Sequence, residues 1–209
     1  MRIDPAGWPF VGIAVVLAVG GALMFTPLVG LVFVVLAGVF LFFFRDPHRV
    51  ITQGASAVLA PADGRVMVAG TPTGEASPEG HWQQITIFLS PMDVHVNRMP
   101  VGGRVLKVRY HPGRFRPAYR SDAGDLNEHT EVWIDHGGQI VVVRQIVGIL
   151  ARRIVCRAKE GDAVHSGQRF GVMKFGSRMD VFVPANATII ARVGDRVVGA
   201  VSVIAELHD

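Results

Sequence analysis

The chain is nearly without cysteine: Cys156 stands alone among 209 residues. One thiol cannot build an intramolecular disulfide framework, so the fold must be held by its core, and such usage fits a reducing compartment. Cys156 lies in the strand-like run Arg153-Ile154-Val155-Cys156, where packing is the simplest role. Charge is scarce too. Charged residues make up 18% of the chain, against roughly 25% in ordinary soluble domains. The shortage is local, since no Asp, Glu, Lys or Arg occurs from Trp8 to Phe44. With 50% hydrophobic residues, the composition excludes a disordered or low-complexity protein. The concentration of apolar residues at one end excludes a purely soluble globule. The rest of the chain is long enough for one domain with a sizeable core.

Acidic side chains are missing from a second stretch, between Asp93 and Asp122. This interval holds Arg98, Arg104, Lys107, Arg109, Arg114, Arg116 and Arg120, and the formal net charge is +4. Beside a membrane anchor, such a face favours an anionic membrane surface, at about 1 kcal/mol per basic side chain. Aromatic residues are sparse there and no nucleic-acid motif is present, so nucleic acid is not an expected partner.

The uncharged stretch exceeds the ~20 residues that cross a hydrocarbon core, and Thr26-Pro27 falls at its middle. One long helix kinked at Pro27 competes with a hairpin of two short spans, 8–25 and 28–44. Arg2 precedes the stretch, and Arg45, His48 and Arg49 follow it. If both flanks obey the positive-inside tendency, both are cytoplasmic, which favours a transmembrane or re-entrant helical hairpin. The apolar run is too long for the core of a cleavable signal, and no small-residue cleavage pattern precedes Arg45. Residues 1–50 are therefore expected as an anchor in the cell membrane, with residues 51–209 forming a β-rich domain on the cytoplasmic side.

From residue 51 on, short β-rich runs alternate with turn residues. Strands are expected at 57–60, 65–69, 84–89, 94–97, 103–109, 130–135, 139–147, 153–158, 180–184, 187–193 and 197–205. Turns are expected at 61–64, 71–74, 136–138, 160–162 and 193–195. The spacing predicts a mainly β, antiparallel sandwich or barrel. Residues 112–127 read as one long loop, a length that is usually functional or mobile. The C-terminal third, with Gly-Asp turns between strand pairs, has lipoyl- or biotinyl-like half-barrel character. Carriers of that class display a lysine at a hairpin tip, roughly where Lys174 stands. A membrane-tethered carrier or adaptor is thus the alternative reading.

Three segments hold candidate chemistry, and each alone has a plain structural reading. Ala62-Asp63-Gly64 is a turn, His95 sits within a strand-like run, and Gly176-Ser177 is a turn between two strands. Their order and spacing say more. FFRDPHR (43–49), PADGRV (61–66), IFLSPMDVHVNRMP (87–100), NEH (127–129) and KFGS (174–177) together resemble the phosphatidylserine decarboxylases, specifically the short bacterial type with a hydrophobic N-terminus. The resemblance covers nearly the whole chain.

That resemblance implies a carboxy-lyase turning phosphatidylserine into phosphatidylethanolamine with a covalent pyruvoyl cofactor. The family cuts its own chain before a serine, which becomes the pyruvoyl group. Here the matching bond is Gly176–Ser177, giving a β chain of 1–176 and an α chain of 177–209 that pair as a heterodimer; family members commonly dimerise. No metal is implied. The residue types suit the task. A serine hydroxyl is a weak nucleophile and needs an adjacent base, and glycine tolerates the backbone that brings its carbonyl to Oγ. By resemblance, Ser177 is the nucleophile, His95 the base, and Asp63 the residue that orients it. Longer members carry a second histidine where this chain has Arg98, and arginine cannot act as a base. The base is therefore His95 or another histidine such as His129. Arg98 and His129 are the candidates for binding substrate phosphate.

Overall fold

The runs Trp8–Met24 and Pro27–Phe43 contain only apolar and small residues, and each forms a helix, α1 and α2 respectively. Thr26 between them is extended, with φ −146° and ψ 156°, and its hydroxyl accepts the Val29 N–H at 3.4 Å. Pro27 fills the first helical position, where its missing N–H costs nothing. Thr-Pro thus starts a second helix instead of kinking the first. The helices meet through small residues: Ala14, Ala18 and Gly21 of α1 and Gly30 and Ala37 of α2 are buried. A Cβ on Gly30 would lie 2.7 Å from that of Ala22. Phe10 stacks near Phe40, with ring centroids 5.4 Å apart, so the helices run antiparallel. Strand β1 (Arg2–Ile3) pairs with β2 (Arg45–Asp46) and joins the two ends of this unit. The segment Pro5–Met24 is long and apolar enough to cross a membrane, and Pro27–Phe43 is a shorter apolar helix.

This computed structural model describes residues 2–51, 54–72, 77–149, 153–174 and 176–208. They form two compact units, Met1–His48 and Arg49–Asp209. The second is mainly β. In chain order its strands are β3 (Ala57–Leu59), β4 (Gly64–Gly70), β5 (Trp82–Leu89), β6 (Val96–Arg98), β7 (Gly103–His111), β8 (His129–His136) and β9 (Gln139–Ile146). Then follow β10 (Ile154–Cys156), β11 (Ala163–Val164), β12 (Arg169–Met173), β13 (Ser177–Pro184), β14 (Thr188–Ile189), β15 (Arg196–Val197) and β16 (Val203–Glu206). A single turn of helix, α3 (Ala123–Leu126), interrupts the loop between β7 and β8. The strands form one large sheet in the order β11-β7-β8-β9-β13-β5-β4-β15 and two small ones, β10-β12-β6 and β14-β16-β3.

Alternation along the strands gives the large sheet two unlike faces. Ile85, Ile87, Val132, Ile134, Val141, Val143, Met179 and Val181 bury one face in the core with Met99, Phe170 and Met173. The other face is polar and still largely covered. Register places Glu131 beside Arg144, Arg144 beside Asp180, and Asp180 beside Thr86. Arg178 binds Asp180 at 2.7 Å and Arg144 binds Glu131 at 2.6 Å. Burial raises the Glu131 carboxyl, but the Arg144 guanidinium outweighs it and holds the group below its ordinary range. Removing one member of such a buried pair typically costs about 3–5 kcal/mol, because the other charge is stranded.

The 112–127 segment covers part of this polar face. It is fixed by polar clips instead of a core of its own. The Asn127 amide donates to the carbonyls of Arg116 and Val147, each at 2.8 Å, and accepts the Arg116 N–H at 3.0 Å. Arg116 also binds Asp122 at 2.7 Å, and Arg178 donates to the Arg120 carbonyl at 3.3 Å.

Several sequence expectations need correction. Strand β12 was not expected, because Gly171 weakens a short run that ends near a turn. Gly171 is required there, since a Cβ would overlap the Val155 backbone carbonyl oxygen. The strand expected at 180–184 begins at Ser177. The strand expected at 187–193 shrinks to Thr188–Ile189, and 197–205 is broken by Ala200 at φ 61°. Of the turn expected at 71–74, residues 73 and 74 lie outside the described residues. The turns at Gly161 and Gly194 do have left-handed glycines, at φ 87° and 97°.

Candidate active site

Strand β13 opens on Ser177, paired with Leu89 of β5 and wholly buried. Its Oγ has no hydrogen-bond partner among the described residues. A buried hydroxyl left unbonded is unusual enough to require a reason. Gly176 before it has φ 73°, a left-handed conformation that a side chain would strain. A Cβ there would meet nothing within 4 Å, so the need for glycine is conformational and not a matter of space.

His95 lies just before β6 and is fully buried. Its carbonyl accepts the Met173 N–H at 3.2 Å, which carries the β6–β12 pairing one step further. Two contacts orient the ring among the described residues. Nδ1 lies 3.0 Å from the Asp93 carbonyl oxygen, and the Gly176 N–H points at Nε2 from 3.3 Å. A carbonyl can only accept, so Nδ1 carries the hydrogen and Nε2 presents its lone pair. That lone pair faces the residue that precedes Ser177. Asp93 is itself fixed, because its carboxylate accepts the Ser90 N–H at 2.8 Å and pairs with Arg196 at 2.6 Å.

His95, Gly176 and Ser177 are thus brought together. The other expected residues stand differently. The Asp63 carboxylate accepts from Arg49 at 2.8 and 3.1 Å and from the Gly199 N–H at 2.8 Å. It fastens the turn between β15 and β16, and the bond that orients the His95 ring at Nδ1 comes from the Asp93 backbone. Asp63 is still a neighbour of the histidine strand, since Pro61 accepts the Arg98 N–H at 2.8 Å. Arg98 is 6% exposed and donates to the Gly167 carbonyl at 3.3 Å. This is a clip within the fold, not an open phosphate contact.

His129 lies on the polar face. It is level with Ile146, which is level with Arg178. Ser177 precedes Arg178 in the same strand and so points to the opposite face. The sheet separates His129 from Ser177, which argues against His129 as the base. Burial pushes the His129 imidazole below its ordinary range. It stacks on His111 at 4.5 Å with an angle of 15°. Together with Glu131 these rings line a cavity of about 470 Å³. Their ligand atoms lie within 4.8 Å of one another. Parallel rings aim their lone pairs side by side, and Arg144 already occupies Glu131, so the donor set suits a divalent cation poorly.

Other residues at the site were not assigned a role from the sequence. Gly148 follows β9, and a Cβ there would overlap the Gly176 carbonyl oxygen. Ala118, from the long loop, lies on the other side of that position at 3.5 Å. Asn127, in the NEH segment, binds the carbonyl of Val147 and thereby holds this approach. Asn97 and Gln145 are wholly buried and joined by a bond of 2.8 Å. Cys156 is half-buried, and burial pushes its thiol up, which keeps it protonated and unreactive.

Known proteins similar to this chain share one name. The family model described as phosphatidylserine decarboxylase matches residues 36–205. A phosphatidylserine decarboxylase proenzyme of Symbiobacterium thermophilum is 43% identical over 202 residues, covering 96% of this chain and 94% of the relative. Proenzymes of the same name from Rhodococcus jostii and Desulfotalea psychrophila are 44% and 34% identical. They align over 79% and 96% of this chain, and over 71% and 94% of their own lengths.

Proposed function

The chain belongs to the phosphatidylserine decarboxylase family, and from that premise we propose that it is a proenzyme cutting itself between Gly176 and Ser177. The activity is that of a carboxy-lyase, releasing CO₂ from phosphatidylserine to give phosphatidylethanolamine. The observation that carries the processing reading is the His95 ring. Its lone pair is held 3.3 Å from the Gly176 nitrogen, beside a buried, unbonded Ser177 hydroxyl.

In this reading Ser177 Oγ attacks the Gly176 carbonyl carbon, and its proton passes to His95 Nε2. The peptide C–N bond breaks, the proton moves on to the freed amine, and an ester joins the two pieces. Removal of the Ser177 Cα proton then expels the Gly176 carboxylate. Addition of water and loss of ammonia leave a pyruvoyl group at the start of residues 177–209. When formed, that group supplies a ketone that takes up the substrate amine and accepts the electrons left by CO₂. The chain contributes burial, a fixed imidazole and a fixed backbone. Asp63 enters as a positioning residue, through the Pro61 contact to the histidine strand.

The apolar hairpin is read as an anchor in the cell membrane, with the β unit on the cytoplasmic side. Basic residues of 98–120 favour an anionic surface. The products 1–176 and 177–209 remain paired. The half-barrel likeness of the C-terminal third is read as local chain geometry, without a carrier role for Lys174.

Intact mass of purified protein tests the processing. Two chains are expected, the smaller covering 177–209 and lighter than its unmodified sequence by one ammonia. A single uncut chain from an active preparation would sink the proposal. A second check addresses Gly148. Gly148→Ala puts a methyl group where the Gly176 carbonyl oxygen lies, so the scissile carbonyl must move. Misplacement by ~1 Å costs about a hundredfold in such reactions. Conversion of pulse-labelled precursor on a denaturing gel should slow to that degree, and a wild-type half-time would show that the carbonyl is not seated there.

A further inference from the structure

Asn97 and Gln145 form a buried amide pair that the processing chemistry does not use. Both are 0% exposed. Gln145 Nε2 donates to Asn97 Oδ1 at 2.8 Å and reaches the Val155 carbonyl at 3.5 Å. Among the described residues, Asn97 Nδ2 and Gln145 Oε1 have no partner. Exchanging nitrogen and oxygen does not remove the deficit. Two amides joined by one hydrogen bond always leave one NH₂ and one carbonyl over. A buried polar atom without a partner costs about 1–3 kcal/mol, and here there are two, in adjacent residues.

The pair lies next to the reacting bond. Asn97 is two residues beyond His95, and both reach from the small sheet toward the large one, His95 to Gly176 and Asn97 to Gln145. On the large sheet, Gln145 is level with Met179, which is two residues beyond Ser177 and on the same face. Two residues along a strand span about 7 Å. Ser177 Oγ, two residues along that face, is a further buried polar atom with no partner among the described residues. One donor and one acceptor, both neutral, therefore sit about one side-chain length from the position of the reactive group.

We propose that Asn97 and Gln145 read the amino-acid end of the substrate headgroup: the Asn97 amide donates to its carboxylate, and the Gln145 carbonyl accepts from its amine. The proposal rests on the decarboxylase reading and names specificity residues for that same site. A headgroup bearing a carboxylate and an amine on one carbon offers the complement of the two unmet groups. A headgroup with neither leaves both unmet, and a site with unpaired buried polar groups discriminates strongly. Neutral amides also bind the carboxylate without a counter-charge, which would resist its loss as CO₂.

The test is equilibrium binding to the processed wild-type and variant proteins in detergent micelles. The two probes are a phosphatidyl lipid with a 3-hydroxypropionate headgroup, which has the carboxylate but no amine, and phosphatidylethanol, which has neither. Neither probe can be turned over. Asn97→Leu and Asn97→Asp should each weaken the carboxylate lipid at least tenfold and leave phosphatidylethanol unchanged. Asn97→Asp keeps the side-chain shape and so guards against a packing defect. Equal losses for both lipids, as from a merely structural pair, would overturn the proposal, as would unchanged binding of both. Failure of the wild-type protein to cut itself or to decarboxylate would instead remove the underlying reading.

Discussion

Ser177→Ala is expected to remain a single chain of full length, with no detectable decarboxylase activity and a slightly higher melting temperature than an uncut precursor that keeps the serine. The first two outcomes follow from chemistry. The substitution removes the only atom placed to attack the Gly176 carbonyl and the only precursor of the pyruvoyl group. Ser177 begins a strand paired from its first residue, which fixes the place of its side chain beside the Gly176 carbonyl. The third outcome follows from the unpartnered Oγ. Burying a hydroxyl without a bond costs about 1–3 kcal/mol, and alanine carries no such cost. An ordinary buried serine, bonded to its surroundings, would lose stability on the same change. The sign of the shift thus tests whether the hydroxyl is held in reserve for reaction. Denaturing gels and calorimetry on the same preparation read both effects. Cleavage of the variant would refute the nucleophile, and a lower melting temperature would refute the unbonded hydroxyl.

What could be read in the sequence was what a short local pattern carries. The uncharged run with Thr-Pro at its middle left a kinked helix and a hairpin in competition, the flanking charges favoured the hairpin, and the Thr26 cap with Pro27 at the first helical position is the local reason a second helix starts. The alternation from 139 to 147 gave β9 nearly to the residue. His95, Gly176 and Ser177 stood in motifs and are adjacent in space. The rest depended on register. Arg178 and Asp180 look like surface residues of a strand until the 112–127 loop is seen to cover their face. Gly148 looks like one turn glycine among 24, and its role is visible only from the carbonyl packed on it. Asp63 was expected to orient the imidazole, but the ring takes a backbone carbonyl two residues away. Such a contact is available from almost any sequence and leaves no trace in residue type. Neither Asn97 nor Gln145 is distinctive alone, and only the pairing of two sheets makes them neighbours.

The Gly176 N–H contact makes His95→Gln the sharper test of the base. A glutamine can set its amide oxygen near the place of Nε2, where it accepts the Gly176 N–H. The local geometry can therefore survive while the ability to take a proton is lost, since an amide is not basic near neutral pH. General base catalysis by a positioned side chain contributes about 10²–10⁴ in rate. The precursor half-time should lengthen by that factor, with the uncut chain melting close to the uncut Ser177→Ala protein. His95→Ala would also lose cleavage, but it opens a cavity in a fully buried site and strands the Asp93 carbonyl and the Gly176 N–H. Its failure could then be one of folding, whereas the glutamine variant separates the two causes. Wild-type cleavage by His95→Gln would show that a group other than this imidazole takes the Ser177 proton. His129 would remain a poor substitute, because the large sheet stands between it and Ser177.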